Sequence, residues 1–288
     1  MSVTNSVVRD SASDKTRSVA RLVRGIPATD GAGVKLNRVL GTQALPAVDP
    51  FLMMDEFRSD DPSAYIAGFP DHPHRGFETI TYMLAGRMRH RDSKGNEGLL
   101  GPGDVQWMTT ARGLVHSEMP EQQDGLMQGF QLWLNLPAKE KMLDPKYQDI
   151  PAATIPEITY DDAHLKVIAG EYRHLKGPIA SPTTQPFIVD VTLKADGDIG
   201  LPVPVDHDGF VYVFDGAVEI DHTVVTKGQA AVLTAGQSLV LTAGSDGARA
   251  LVVTGKPLKE PIARHGPFVM NTPQEIHQAF ADYQSGKF

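Results

Sequence analysis

His72 and His74, and further along His116 and Glu118, form two pairs of potential metal ligands, each pair flanking a single residue. Side chains two apart on a strand project to the same side. Each pair can therefore aim into one interior from its own strand. Three imidazoles and a carboxylate suit a borderline divalent metal such as iron, zinc, copper or nickel, and are compatible with redox-active Fe(II). Four protein donors leave positions open in an octahedral arrangement, as a centre for catalysis or ligand exchange requires. A solitary His-x-His on a loop is commonly just solvated. Two such pairs with a β pattern between them point to a shared ion. Pro73 cannot donate to a sheet ladder, which puts the first pair at a strand end or edge, where substrate can reach.

Neighbouring groups compete for roles. Glu78 is near enough in sequence to the first pair to act as an alternative ligand, and Asp71 is a candidate for orienting an imidazole from behind. Met53, Met54, Met108, Met119 and Met127 read as core. His90, His164, His174, His207, His222, His265 and His277 show no pairing and read as surface or satisfied groups; for His265, in RHGPFVMNT, a structural hydrogen bond is expected.

The elements that must position these residues are β-strands. Thr79 to Leu84 alternates with period two, SKGNEG is a hairpin turn, LLGPGD a sharp corner, and VQWMTT and GLMQGFQLWLNL are further strands. Phe130, Leu132 and Leu134 share one face of the last. SVARLVRGI reads as a first strand and ATDGAGV as a hairpin connection. PFLMMDEFRSDD has an apolar start and a solvated acidic end. Short strands at regular spacing indicate an all-β barrel or sandwich. Only the end is helical: Thr272 as N-cap, Pro273 in the first position and a glycine stop enclose QEIHQAFADYQSG, a packing element.

These elements divide into a tail over residues 1–17, a domain over 18–140, a proline-rich linker over 141–160, a second β domain over 161–260 and a closing segment with the helix over 261–288. With Gly86 aligned on Gly216, Pro202 and Pro204 fall under His72 and His74. With Gly103 aligned on Gly228, Leu241 and Ala243 fall under His116 and Glu118. The second half keeps the β pattern and lacks the ligands.

The 288 residues suffice for a large core. The absence of cysteine excludes disulfides, thiolate metal sites and cysteine nucleophiles. A formal net charge of -8 argues against direct nucleic-acid binding. No apolar run is long enough to span a bilayer and no secretory signal is visible, so a cytoplasmic protein without membrane contact is the expectation.

HPHRGFETITYMLAG, GDVQWMTTARGLVHSEMP, QLWLNLP with EKMLDPKYQ, and EPIARHGPFVMNTPQEI resemble the pirin family of the cupin superfamily, from about Arg21 to the end of the chain. The resemblance implies a bicupin: two stacked antiparallel β-barrels of jelly-roll type with the metal in the N-terminal one. It implies Fe(II), with Cu, Ni, Mn, Co or Zn as alternatives, held by His72, His74, His116 and Glu118. Many other cupins use a glutamate at the Glu78 position; pirins use the one after the last histidine. The resemblance further implies a quercetinase, which opens the ring of a flavonol with dioxygen and releases carbon monoxide. Glu118 would then serve as general base, with Phe69, Phe77, Met108 and Leu114 enclosing the substrate. The alternative it carries is an iron-dependent interaction protein that regulates a transcription factor or metabolic enzyme through a protein contact.

Overall fold

The computed structural model describes residues 15–288; most of the tail expected over 1–17 lies outside the described residues. Two compact units form, and neither is continuous in sequence. One contains residues 26–42, 50–152 and 258–288; the other contains residues 43–49 and 153–257 together with the described residues up to Gly25.

Two antiparallel sheets form the body of the first unit, and a short antiparallel pair, Ala263–His265 with Phe268–Met270, adds a third. The larger has seven strands, in the order Lys146–Ile150, Val105–Thr109, Phe77–Ala85, Met127–Asn135, Phe51–Ser59, Val34–Leu40 and Ile26–Asp30. The smaller has four, in the order Phe69–His74, Leu114–Pro120, Met88–Asp92 and Glu97–Leu100. Strand parity sorts the side chains. Phe77, Thr79 and Thr81 share one face of their strand, in register with Trp133 and Gln131, which in turn lie opposite Met53 and Asp55. The acidic end of PFLMMDEFRSDD is solvated only at Asp60 and Asp61. Asp55 and Glu56 are buried, and Asp55 is held from the neighbouring strand by Arg38 at 2.9 and 2.7 Å. The C-terminal helix, Pro273–Gln284, starts as its sequence dictates, with a capping box between Thr272 and Glu275.

In the second unit a nine-stranded sheet encloses a core of Val, Leu, Ile and Ala. Ile199 pairs with Leu241 and Leu201 with Leu239, and all four are buried, as is Ala243. The inward positions on this strand are thus Ile199 and Leu201, followed by buried Val203, and not Pro202 and Pro204, which are exposed. Leu241 and Ala243 do point inward. Among the described residues, the imidazole cluster has no counterpart here.

Two further readings change. The strand Val19–Arg24 pairs with Gln229–Leu233, so it joins the second unit and not the 18–140 domain. Arg17 anchors it, buried and donating to the carbonyls of Gly236, Thr234, Pro204 and His207, so the tail ends before it. The 141–160 stretch is no free linker: Lys146–Ile150 pairs with Val105–Thr109 in the first unit, and Glu157–Thr159 pairs with Ala163–Ala169 in the second. These pairings join distant segments, which local composition does not encode. No helix of the described residues is long and apolar enough to cross a membrane.

Candidate metal centre

The strands Phe69–His74 and Leu114–Pro120 are antiparallel neighbours, with His72 opposite His116 and His74 opposite Leu114. A register shift between His116 and Glu118 is the local irregularity that ends the even ladder there. His72, His74 and His116 each bring a ring nitrogen to one point, all within 4.8 Å of one another. The rings stand 4.3 to 5.0 Å apart between centroids. His74 and His116 are buried and His72 is half-buried, so the cluster meets solvent along one side.

The donor atoms fit a metal ion. His72 Nδ1 is 2.8 Å from the Pro70 carbonyl, which fixes its N–H there and leaves the Nε2 lone pair for the cluster. The orienting group is therefore a backbone carbonyl and not Asp71, which is exposed at the cavity wall. Both nitrogens of His116 are buried without a hydrogen-bond partner, the situation that coordination relieves. Burial, reinforced by neighbouring imidazoles, pushes the pKa of His74 and of His116 well below the ordinary histidine range. Both rings are therefore neutral at pH 7, as ligands must be.

Glu118 sits on the same face, buried beside the cluster. Gln131 Nε2 donates to it at 3.2 Å, and Thr81 Oγ1 lies 3.0 Å from its Oε1. The Thr81 hydroxyl is also 2.6 Å from Gln131 Oε1, and its single proton serves one of the two. Burial raises the Glu118 pKa, opposed by His72, Thr81 and Gln131. Glu78 is not part of this centre. It occupies the other face of its strand, where it accepts from Trp107 Nε1 at 3.0 Å and Thr109 Oγ1 at 2.7 Å.

His90 is the participant the sequence did not mark. It lies opposite Glu118 in register, fully buried, with Nδ1 3.5 Å from Glu118 Oε1. The signal was parity with apolar Met88, masked by the flanking arginines of RMRHRD. Burial pulls the His90 pKa down to about 3. An unfolded histidine binds its proton near pH 6.5, so His90 costs stability as pH falls below that value, with the slope ending near pH 3. In metal-free protein, His90→Leu is expected to reduce the stability lost between pH 7 and pH 5 by about 2 kcal/mol. Urea midpoints at the two pH values measure this; an unchanged difference contradicts it.

A cavity of about 600 Å³ opens from the cluster, within the range of small-molecule sites. His72, His74, Glu118, Thr81 and Gln131 line one end; Leu36, Met53, Phe57, Phe69 and Trp133 are among its apolar walls. Of the enclosing residues expected from sequence, Phe69 lines it. Phe77, Met108 and Leu114 are core residues that do not, Phe77 packing at 4.2 Å from the Trp133 ring and 5.1 Å from the His74 ring. Met53 is a wall residue as well as a core one. His265 is exposed and its ring, without a hydrogen bond, meets Phe280 edge-on.

Backbone geometry holds the first candidate pair in place. Gly76, two residues after His74, has φ +91, and a Cβ there would stand 1.9 Å from the Val269 carbonyl oxygen. Its own carbonyl accepts from Lys141 Nζ at 2.6 Å, and the same buried ammonium donates to Asn135 Oδ1 and Val269 O. Gly76→Ala is expected to destabilise the protein by about 2 kcal/mol or more. A thermal unfolding midpoint equal to that of the parent contradicts this.

A family model described as pirin matches residues 33–134, and one described as the pirin C-terminal cupin domain matches residues 188–288. The chain belongs to the pirin family. Its all-β fold is that of two cupin domains with one short C-terminal helix. A pirin-like protein from Caulobacter vibrioides is 47% identical to it over 274 residues, covering 94% of this chain and 99% of the relative. A Pseudomonas aeruginosa protein provisionally named quercetin 2,3-dioxygenase is 48% identical over 277 residues, covering 94% and 97%. The crystal structure of a quercetin 2,3-dioxygenase from Acinetobacter baumannii has a TM-score of 0.89 at 35% identity, covering 95% of this chain and 99% of that one. The imidazole cluster of this pirin lies within the segment matched by the pirin model.

Proposed function

We propose that this pirin is a metal-dependent dioxygenase that opens the ring of a flavonol of the quercetin class, with Fe(II) held by His72, His74, His116 and Glu118. The observation that carries the reading is three imidazoles converging beside a buried carboxylate at one end of an apolar-walled cavity. The similarity to proteins bearing the quercetin 2,3-dioxygenase name supports the substrate class.

A divalent ion at the cluster supplies Lewis acidity toward the flavonol 3-hydroxyl and a redox route to dioxygen. The chain's own residues do the rest. Glu118 accepts the 3-hydroxyl proton at a carboxylate oxygen, the part of a positioned general base. Thr81 and Gln131 hold the carboxylate in place for the transfer. The apolar walls exclude water and enclose the flat substrate. In the net reaction two ring carbon–carbon bonds break. Both atoms of dioxygen enter the opened product, and the carbon that bore the 3-hydroxyl leaves with its oxygen as carbon monoxide.

The test is anaerobic loading with Fe(II), addition of quercetin and air, and parallel measurement of flavonol absorbance and carbon monoxide. Loss of flavonol with one carbon monoxide released per molecule is expected. No consumption across several flavonols and with each of Fe, Ni, Cu, Mn, Co and Zn overturns the reading and favours a metal-dependent protein–protein role.

A further inference from the structure

Two arginines line the cavity, and they are differently committed. Arg38 is neutralised: its Nε and Nη2 reach Asp55 at 2.9 and 2.7 Å, and Nη2 also reaches Asp30 at 2.8 Å. Arg264 is not. Among the described residues no carboxylate lies within ion-pair distance of it, and its contacts are weak: Leu52 O at 3.4 Å and the Met53 thioether at 4.0 Å. Its guanidinium carbon stands 4.8 Å above the Trp133 ring. That ring is itself 5.2 Å from the ring of His74. Arg264 therefore lies one indole away from the imidazole cluster, on the same cavity.

We infer that Arg264 is a specificity-determining residue, which receives an ionised oxygen at the edge of the substrate's fused ring system remote from the metal-directed hydroxyl. The inference rests on the flavonol reading and extends it. A flat bicycle that fills this cavity, with its 3-hydroxyl at the cluster, extends its benzo ring past the edge of Trp133 toward the guanidinium. On a flavonol, the 7-hydroxyl sits at that edge and is acidified by conjugation with the ring carbonyl. A guanidinium fork with free N–H groups suits such an oxyanion and pairs with it through charge-assisted hydrogen bonds. Stacking on Trp133 fixes the plane of the fork before substrate arrives. Arg38, tied to Asp55 and Asp30, does not compete for the same contact. The preferred ligand class is thus a 3-hydroxylated aromatic bicycle that carries an acidic oxygen at its far edge.

The experiment compares 3,7-dihydroxyflavone with 3-hydroxyflavone. Binding to the full-length, cobalt-loaded protein is measured by calorimetry under argon; KM and kcat are measured on the iron-loaded protein in air. The parent protein is expected to bind the 7-hydroxylated compound roughly ten- to a hundredfold more tightly. Arg264→Met should erase that preference by weakening only this compound, raising its KM with little change in kcat, and Arg264→Lys should restore part of it. Equal weakening of both ligands in Arg264→Met, or no preference in the parent, overturns the inference. The two readings fail separately. Turnover without the preference leaves the dioxygenase standing and removes the role of Arg264. An Arg264-dependent binding preference without turnover does the reverse.

Discussion

Glu118→Ala is expected to lower flavonol turnover by roughly 10²–10⁴-fold and to weaken metal binding. Both effects have one cause. The carboxylate is buried on the face that carries the three imidazoles, and Thr81 and Gln131 hold it there. No nearby acid can replace it. Glu78 faces the other way and is occupied by Trp107 and Thr109, and Asp71 is exposed. Glu78→Gln should therefore leave turnover close to the parent value. Glu118→Gln separates the two roles, since the amide keeps an oxygen donor and cannot take a proton. Metal content close to the parent's with lost turnover is expected for that variant. Full activity in Glu118→Ala would remove this residue from the chemistry.

Asp282→Ala should cost about 3–5 kcal/mol of stability, because it strands a buried cation. Arg75, the residue after His74, is almost wholly buried and donates from Nη1 to Asp282 Oδ2 at 2.9 Å. Its Nε binds the Arg112 carbonyl, and Phe288 lies against its guanidinium at 4.5 Å. The aspartate belongs to the C-terminal helix, so this element does more than pack: it neutralises the position next to a candidate ligand. The Arg75 guanidinium, then Lys287 and Gln278, hold the Asp282 carboxyl well below the usual carboxylate range. A depressed carboxylate stabilises the fold above its unfolded pKa near 4, and that stability is lost as pH falls below it. Urea unfolding of parent and variant should therefore differ at pH 7 and converge in acid. Equal midpoints at pH 7 contradict the account. A drop in metal affinity alongside the lost stability would show that the helix also steadies His74.

The candidate pairs were legible in the sequence because strand parity is strictly local: His72 with His74, and His116 with Glu118, each needed only the alternation of one strand. The helix start was legible for the same reason, since Thr272, Pro273 and Glu275 act within one turn. What escaped was set by pairing between distant segments. His90 reads as a surface or satisfied group among arginines, and only register places it opposite Glu118. Attention to Phe130, Leu132 and Leu134 passed over the other face of that strand, where Gln131 and Trp133 meet the cavity. Asp55 looked solvated because Arg38, its partner, comes from the adjacent strand. Arg264 reaches the site from the far end of the chain, and no spacing rule connects it to His74. The residues of one strand could thus be read from sequence, and the walls that face them could not.

The most direct test of the centre is titration of metal-free protein with iron(II) under argon, run on the parent and on His72→Ala, His74→Ala and His116→Ala. The account predicts saturation at a single ion per chain in the parent and loss of that site in each variant. Tight single-site binding that survives removal of any one of these imidazoles would contradict it.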